Sequence, residues 1–172
     1  MVFFEIMIIT KISKDSASDC NMGSAADSST RLAKELSDLS FRAKAHWGYS
    51  AELMESWRND LTIGPEYFET HQVFTSCIDK QLVAYYAYCK LEACTVLLDN
   101  IFVEPAFIGK GIGKALLDHL KTQVKSTENN LIRLYSEPYA KAFYSKFGFV
   151  VVGKKATSVK NRFLPIMELT LK

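Results

Sequence analysis

The chain has 172 residues, of which 48% are hydrophobic and 23% charged, and its formal net charge at pH 7 is +2. This length suits one domain over residues 1–172 that can bury a core of its own. So small a net charge, without a long block of Lys and Arg, argues against a nucleic-acid-binding protein. The apolar residues 1–10 are too few to span a membrane, so we expect a first strand there and a cytoplasmic protein without a membrane partner.

Cysteine spacing gives no sign of a metal centre. The four cysteines, at positions 20, 77, 89 and 94, form neither a CxxC pair nor another metal-type pattern. Cys77, Cys89 and Cys94 lie in apolar, strand-like runs, so we predict that they are reduced core residues. We therefore expect no metal cofactor.

The N-terminal part of the chain alternates between a strand and helices. Residues 6–12 are strand-like, and residues 13–29 are rich in Ser, Asp, Ala and Gly, which is typical of a loop. Four apolar residues then follow at the spacing of one helical face and predict a helix: Leu32, Leu36, Leu39 and Ala43. Gly48 is expected to break this helix, and Ser50 to cap a second one.

A hairpin and a central strand follow. Residues 73–78 and 81–89 are strand-like and flank Asp79-Lys80, a pair suited to a tight turn. Residues 94–103 are rich in apolar residues and predict a buried strand. Glu104 and Pro105 end this strand, because proline has no amide hydrogen to donate to a sheet.

Glycines alternate with lysine and isoleucine directly after the central strand. Gly109, Gly111 and Gly113 lead into a run whose apolar residues are spaced by three and four, as in a helix. The first amides of a helix lack partners within it, and the helix dipole adds partial positive charge. The order strand, glycine turn, helix therefore predicts a phosphate or pyrophosphate site. The alternative is a glycine-rich turn that only caps a core helix.

The C-terminal part of the chain contains a strand at residues 131–135, a helix at 138–147 and two final strands at 149–155 and 162–171. Pro165 in the last strand predicts either a sheet edge or a bulge.

The glycine loop departs from two known phosphate-binding loops. Counted from Gly109, Lys114 and Ala115 stand where a P-loop needs Gly and Lys. Lys114 also stands where the dinucleotide fingerprint needs Gly. Residues 108–113, IGKGIG, instead resemble the acyl-CoA loop of the GNAT-type N-acetyltransferases, Gln/Arg-x-x-Gly-x-Gly/Ala. Both glycines match, whereas Ile108 stands where Gln or Arg is usual.

A second segment carries the same resemblance. Residues 139–149, YAKAFYSKFGF, are similar to the GNAT stretch Asn-Ala-x-x-Phe-Tyr-x-Lys-x-Gly-Phe, with Tyr139 in place of the Asn. Six positions match: Ala140, Phe143, Tyr144, Lys146, Gly148 and Phe149. The resemblance implies the GNAT fold, an α/β (α+β) architecture in which about four helices flank a mixed, mostly antiparallel sheet of roughly six to seven strands.

The resemblance also implies acetyl-CoA as cosubstrate. The backbone of residues 101–103 would pair with the pantetheine arm as an added strand does, and the amides of residues 109–114 would hold the pyrophosphate. The residues implied to contact the cofactor are Ile101, Phe102, Val103, Ile108, Gly109, Lys110, Gly111, Ile112, Gly113, Lys114, Tyr139 and Tyr144.

Catalytic roles follow from the same resemblance and from the strand pattern. Tyr144 matches the tyrosine that family members often use as general acid, since a phenol within reach can protonate a departing thiolate. The alternative for Tyr144 is packing. Asp99 is the acid within the central strand, and by the alternation of a strand its side chain points to the same sheet face as Ile101 and Val103. It is interpreted either as a general base or as a strand carboxylate with a hydrogen-bond partner. Glu104 is interpreted as a solvated strand end.

The acceptor side is expected between the first two helices, a segment that borders the acceptor site in this family. His46, Trp47 and Tyr49 could line a pocket there, with His46 relaying a proton, or Trp47 and Tyr49 could pack the helical corner. The resemblance implies transfer of an acetyl group to a primary amine of a small molecule or peptide in a ternary complex. A non-catalytic acyl-CoA-binding regulatory module and a longer acyl donor are the alternatives. A homodimer is also expected.

Overall fold

The computed structural model describes residues 7–12, 25–159 and 161–172. These residues form seven β-strands and five α-helices, in the order β1 Ile8–Ile12, α1 Ala25–Ala45, α2 Ala51–Ser56, α3 Tyr67–Thr70, β2 Gln72–Ile78, β3 Gln81–Glu92, β4 Thr95–Val103, α4 Ile112–Lys125, β5 Leu131–Tyr135, α5 Lys141–Lys146, β6 Val150–Ala156 and β7 Phe163–Thr170. Short 3₁₀ turns at Pro105–Phe107 and Pro138–Ala140 precede α4 and α5. None of the described helices is long and apolar enough to cross a membrane.

The seven strands form one sheet in the order β1-β2-β3-β4-β5-β7-β6. β1 pairs antiparallel with β2, β7 pairs antiparallel with both β5 and β6, and β4 pairs in parallel with β5. The predicted α/β architecture with a mixed, mostly antiparallel sheet is therefore confirmed.

Two compact units are distinguished within the chain. The first consists of Met1–Ala87 and Asn100–Leu117, and the second of Tyr88–Asp99 and Asp118–Lys172. β3, β4 and α4 each contribute residues to both units, so the division does not fall at a linker. A single domain over residues 1–172 stays a prediction.

Helix α1 supplies much of the core of the first unit. Its predicted apolar face is buried at all four positions: Leu32, Leu36, Leu39 and Ala43. That face belongs to one cluster with Val73 of β2 and with Tyr85 and Ala87 of β3. Full burial of each leucine contributes roughly 1.5–3 kcal/mol to stability. The period of the apolar residues was therefore sufficient to predict which side of α1 faces the sheet.

The start of α1 differs from the prediction. The helix begins at Ala25, inside the segment that was predicted to be a loop. Alanine has the highest helix propensity, so Ala25 and Ala26 favour an earlier start than the Ser-rich composition indicates. The rest of the predicted loop, residues 13–24, lies outside the described residues, as does residue 6 of the predicted first strand.

Strands β5, β6 and β7 form the framework of the second unit, with Ile132, Leu134 and Met167 buried. Pro165 was expected at a sheet edge or in a bulge of the last strand, and this expectation is wrong. β7 lies between β5 and β6, and the register shift falls in β6, between Val151 and Gly153. The Pro165 carbonyl accepts a bond from the Ser136 amide at 2.8 Å, a role that needs no amide hydrogen.

The prediction that three cysteines are reduced core residues is only partly right. Cys77 of β2 is disulfide-bonded, whereas Cys89 and Cys94 are free. Cys94 is exposed and lies in the turn between β3 and β4, with φ of +57°, rather than within the strand. Cysteine spacing does not determine which residues pair, so the sequence carried no signal for the bond at Cys77.

Candidate active site

The glycine loop of the first unit begins with a tight turn after β4. The amide of Phe107 donates to the carbonyl of Glu104 at 2.8 Å, and the amide of Ile108 donates to that of Pro105 at 3.2 Å. The amide of Lys110 is also used within the loop, since it donates to the carbonyl of Phe107 at 3.3 Å. The Ile108 side chain, which replaces the usual Gln or Arg, is exposed.

Two of the three glycines have backbone angles that favour glycine. Gly109 and Gly111 have φ of +82° and +84°, in the left-handed region that favours glycine. A Cβ atom added at either position would meet no described atom within 4 Å. The space beside this backbone is therefore open. Gly113 lies within the first turn of α4, which begins at Ile112.

The start of α4 presents amide groups that donate to no backbone carbonyl of the described residues. The carbonyl of Gly111 accepts the first helical bond, from Ala115 at 3.1 Å, so Gly111 is the N-cap residue. Within the described part of the chain, the amides of Gly109, Gly111, Ile112 and Gly113 donate to no backbone carbonyl. Together with the helix dipole, these donors suit an anion such as a pyrophosphate.

The end of β4 is tied to α1 by an ion pair that the sequence analysis missed. The Glu104 carboxylate accepts bonds from Arg42 Nε at 3.1 Å and from Arg42 Nη2 at 2.7 Å. Only 15% of the Glu104 side chain is exposed, so the interpretation as a solvated strand end is wrong. Its amide donates to the Val83 carbonyl at 2.8 Å, which fixes it to β3. The partially buried Ile101, Phe102 and Val103 precede it on β4.

The corner between α1 and α2 lies at the same end of α1 as Arg42. Gly48, with φ of +75°, turns the chain, and the Ser50 Oγ atom caps α2 by accepting from the Leu53 amide at 3.3 Å. Trp47 is 40% exposed and lies edge-on to the ring of His46 at 5.9 Å between centroids. The break at Gly48 and the cap at Ser50 are confirmed.

Tyr49 packs inward at this corner. Its ring meets the buried Trp57 edge-to-face at 4.9 Å, and Lys44 Nζ lies 4.7 Å from the Trp57 ring centroid. Tyr49 therefore makes the packing contact that one of the two alternatives predicts, whereas His46 and Trp47 are exposed.

The other predicted residues belong to the second unit. Tyr144 of α5 is buried, and its ring lies edge-to-face with Phe143 at 5.3 Å. Burial raises the pKa of the Tyr144 hydroxyl, and the negative charge of Glu137 raises that pKa further. The hydroxyl therefore keeps its proton throughout the physiological pH range. Asp99 of β4 and Tyr139 are exposed.

The Asp99 carboxylate acts electrostatically on Cys89. Burial raises the pKa of the Cys89 thiol, and the Asp99 carboxylate raises that pKa to a smaller extent.

The described residues contain no group of three His, Cys, Asp or Glu side chains placed to hold a metal ion.

Comparison with known proteins identifies the family. The family described as "Acetyltransferase (GNAT) domain" matches residues 35–171, most of the chain. The chain belongs to the GNAT acetyltransferase family. The family predicted from the IGKGIG loop and the YAKAFYSKFGF segment is thereby confirmed.

Two relatives of this GNAT protein match over part of its length. It is 34% identical over 64 residues to the uncharacterized N-acetyltransferase ycf52 of Pyropia yezoensis. The matched residues make up 37% of this chain and 35% of ycf52. It is 31% identical over 72 residues to the peptidyl-lysine N-acetyltransferase YjaB of Salmonella typhimurium, 42% of this chain and 48% of YjaB. The chain therefore spans less than half the length of these curated relatives.

A solved GNAT structure matches nearly the whole chain. The PaiA N-acetyltransferase of Thermoplasma acidophilum, determined in complex with coenzyme A, superposes with a TM-score of 0.71 at 19% identity. The match covers 96% of this chain and 99% of that one. At this level of identity the likeness establishes a shared fold.

The Arg42–Glu104 pair provides a stability test. We expect Arg42→Gln to lower the free energy of unfolding by about 1–3 kcal/mol, because a mostly buried carboxylate loses its partner. The matched control is Arg58→Gln, which removes the exposed partner of Glu55 and is expected to change stability by less than about 0.5 kcal/mol. Urea denaturation of both variants measures the difference, and equal losses would contradict a special role of Glu104.

Proposed function

We propose that this protein transfers an acetyl group from acetyl-CoA to a primary amine. The observation that carries the proposal is the set of unused amides between Gly109 and Gly113, at the start of α4, in a chain of the GNAT family. These donors fit a diphosphate in number and type, and the open space beside Gly109 and Gly111 admits a bulky group. We also propose that residues 1–172 act as one acetyltransferase domain.

Binding of acetyl-CoA is assigned to two backbone segments. The amides of Gly109, Gly111, Ile112 and Gly113 would hold the pyrophosphate, with Lys114 in the same helical turn. The end of β4, Ile101–Val103, would offer main-chain groups to the pantetheine arm, as in the addition of a strand. Exposed Ile108 supplies no charge, so we expect the amides to provide most of the pyrophosphate affinity.

The transfer step is proposed to be direct. The acceptor nitrogen attacks the thioester carbon, a C–N bond forms, and the C–S bond breaks with its electron pair leaving on sulfur. Tyr144 donates its proton to the departing thiolate, since a phenol hydroxyl carries its proton at neutral pH. Asp99, an exposed carboxylate, is the proposed acceptor of the proton that the amine loses. The proton count balances when the phenolate is reprotonated from solvent.

The acceptor is proposed to be an amine of a peptide or small molecule. YjaB is named as a peptidyl-lysine N-acetyltransferase, which makes a lysine side chain the first class to test. Exposed His46 and Trp47 at the α1–α2 corner offer an aromatic surface on which an acceptor could rest. We propose that these two residues contact the acceptor, whereas Tyr49 supports the corner through Trp57.

Release of free thiol tests the proposal. Wild-type protein is incubated with acetyl-CoA, or with a longer acyl-CoA, and a panel of lysine peptides, polyamines and amino acids, while calorimetry measures coenzyme A binding. We expect saturable binding and amine-dependent thiol release. Binding without turnover on any acceptor would favour the regulatory module instead. No binding at millimolar coenzyme A would overturn both functions.

A further inference from the structure

An ion pair holds the residue that joins the end of β4 to the glycine loop. Glu104 lies between Val103, the last residue of β4, and the 3₁₀ turn Pro105–Phe107. Its carboxylate accepts bonds from Arg42 Nε at 3.1 Å and from Arg42 Nη2 at 2.7 Å. A guanidinium that donates from two nitrogens fixes the orientation of a carboxylate as well as its position. Arg42 belongs to the last turn of α1, so the contact anchors Glu104 to a helix that is packed in the core.

The main chain of Glu104 is fixed as well. Its amide donates to the Val83 carbonyl of β3 at 2.8 Å, and its carbonyl accepts from the Phe107 amide at 2.8 Å. Glu104 is therefore bonded at three points: to α1 by its side chain, to β3 by its amide and to the following turn by its carbonyl. Only 15% of its side chain is exposed, so water competes little for the carboxylate.

Backbone bonds lead from Glu104 to the start of α4. Phe107 donates to Glu104, and Lys110 donates in turn to the Phe107 carbonyl at 3.3 Å. Lys110 Nζ also lies 4.5 Å from the centroid of the Phe107 ring. Gly111, the N-cap residue of α4, comes directly after Lys110. A displacement of Glu104 is therefore transmitted to the N-cap through two consecutive hydrogen bonds.

We infer that Arg42 is a positioning residue for coenzyme A: through Glu104 it holds the glycine loop in the arrangement in which the amides at the start of α4 can bind the pyrophosphate. The inference rests on the proposed function, which assigns that ligand to these amides. It gives a role in cofactor binding to a residue of α1 that neither sequence motif contains and that lies 62 positions before Glu104. A loop held in place binds more tightly, because it need not be ordered when the ligand arrives.

A purely structural ion pair would have different consequences. It would contribute to the free energy of unfolding without a local effect on the loop, and a folded variant would bind coenzyme A as the wild type does. The chain offers a matched control in Arg58, which donates to Glu55 from the same two nitrogens, Nε at 2.8 Å and Nη2 at 2.7 Å. Both of these side chains are exposed, and the pair connects positions only three residues apart.

Amide hydrogen exchange of the free protein, followed by NMR, tests the local effect without any ligand. We expect Arg42→Gln to speed exchange of the Phe107 and Lys110 amides by about tenfold, since both bonds depend on the position of Glu104. Arg58→Gln is expected to change neither rate by more than about twofold. Arg42→Lys keeps the positive charge and is expected to recover part of the protection. Exchange at both amides that is as slow in Arg42→Gln as in the wild type would overturn the inference.

Titration calorimetry with coenzyme A, at a temperature at which every variant is folded, measures the consequence for binding. We expect Arg42→Gln and Glu104→Ala to raise the Kd by about five- to twentyfold, and Arg58→Gln to leave it within about twofold of the wild type. In steady-state kinetics, Arg42→Gln is expected to raise the KM for acetyl-CoA by a larger factor than it lowers kcat at saturation. An unchanged Kd in Arg42→Gln, or a loss confined to kcat, would refute the inference.

Double variants decide whether Arg42 acts through Glu104 and the loop. Arg42→Gln combined with Glu104→Ala is expected to bind coenzyme A no more weakly than the weaker of the two single variants, because both changes break the same contact. In a Gly111→Ala background, Arg42→Gln is expected to cause a smaller loss than in the wild type, since the start of α4 is already displaced. Losses that multiply in either combination would contradict the coupling.

Folding and binding are separated by thermal unfolding, which is recorded for each variant. If Arg42→Gln does not fold, Glu104→Ala decides the question, since it removes the same contact: weaker binding of coenzyme A supports the inference, and wild-type affinity refutes it. A wild-type protein that binds no coenzyme A at millimolar concentration refutes the proposed function itself. A wild type that binds coenzyme A, with the same affinity in Arg42→Gln, refutes this inference alone.

Discussion

Replacement of Tyr144 by phenylalanine is expected to lower kcat by about 10²–10⁴-fold, the usual contribution of a general acid. The change removes one oxygen atom from a buried ring and keeps the edge-to-face contacts with Phe143 and Phe149. The thiolate would then leave without a proton, which is the more difficult path. The KM for acetyl-CoA is expected to change little, because the effect arises in the transition state.

The matched control is another buried tyrosine. Tyr86 of β3 is fully buried and stacks on Phe74 at 4.9 Å, so Tyr86→Phe removes a hydroxyl in the first unit and preserves the ring contact. We expect Tyr86→Phe to keep kcat within about twofold. Steady-state kinetics of both variants, with thiol release as readout, give the comparison. Equal rates for Tyr144→Phe and the wild type would eliminate the acid role.

The pH dependence of kcat tests whether the pKa of Tyr144 is raised. Burial and the charge of Glu137 raise its pKa above the ordinary tyrosine value of about 10, so the proton-donating form persists beyond that pH. A fall in kcat between pH 7 and roughly 10 is therefore not expected from Tyr144. A tyrosine with an ordinary or lowered pKa would lose activity within that interval.

Local patterns predicted the elements that determine the fold. The helical period of α1 placed Leu32, Leu36 and Leu39 in the core, because one face of an amphipathic helix must be buried. The hairpin turn at Asp79-Lys80 is also present, with φ of +49° and +64°. Such features depend on residues close in sequence, so a single sequence contains the information.

The loop was predicted at a similar level of detail. Gly109 and Gly111 adopt the positive φ angles that only glycine adopts readily, and the helix follows at once. Gly113 differs, since it is used as a helical residue in the first turn of α4. The sequence does not distinguish these two uses of glycine.

Long-range charge pairs could not be predicted. Arg42 and Glu104 are 62 residues apart, and Arg162 and Glu137 are 25 apart. Charged residues are usually solvated, and no period or motif indicates which of them meet in the fold. Both pairs adjoin residues that the motifs did identify: Glu104 follows Val103, and Glu137 precedes the Pro138–Ala140 turn.

Substitution of Gly111 by alanine is expected to weaken coenzyme A binding by about ten- to hundredfold. A Cβ atom at φ of +84° is strained by about 1–2 kcal/mol although no described atom lies within 4 Å of it, so the backbone is expected to shift. A shift at the N-cap reorients the amides of Ile112 and Gly113, and each lost bond to a charged phosphate costs roughly 1.5–3 kcal/mol. Titration calorimetry with coenzyme A measures the affinity, while kcat at saturating acetyl-CoA is expected to change less.

Gly48 offers a control with the same backbone strain. Its φ is +75°, and an added Cβ atom would likewise meet no described atom within 4 Å. Gly48→Ala is therefore expected to lose a similar amount of stability to Gly111→Ala while its affinity for coenzyme A stays within about twofold. If both variants bind coenzyme A as tightly as the wild type, the amides at the start of α4 do not hold the pyrophosphate. If both lose affinity equally, the loss reflects general destabilisation, and the assignment of the loop fails in that case as well.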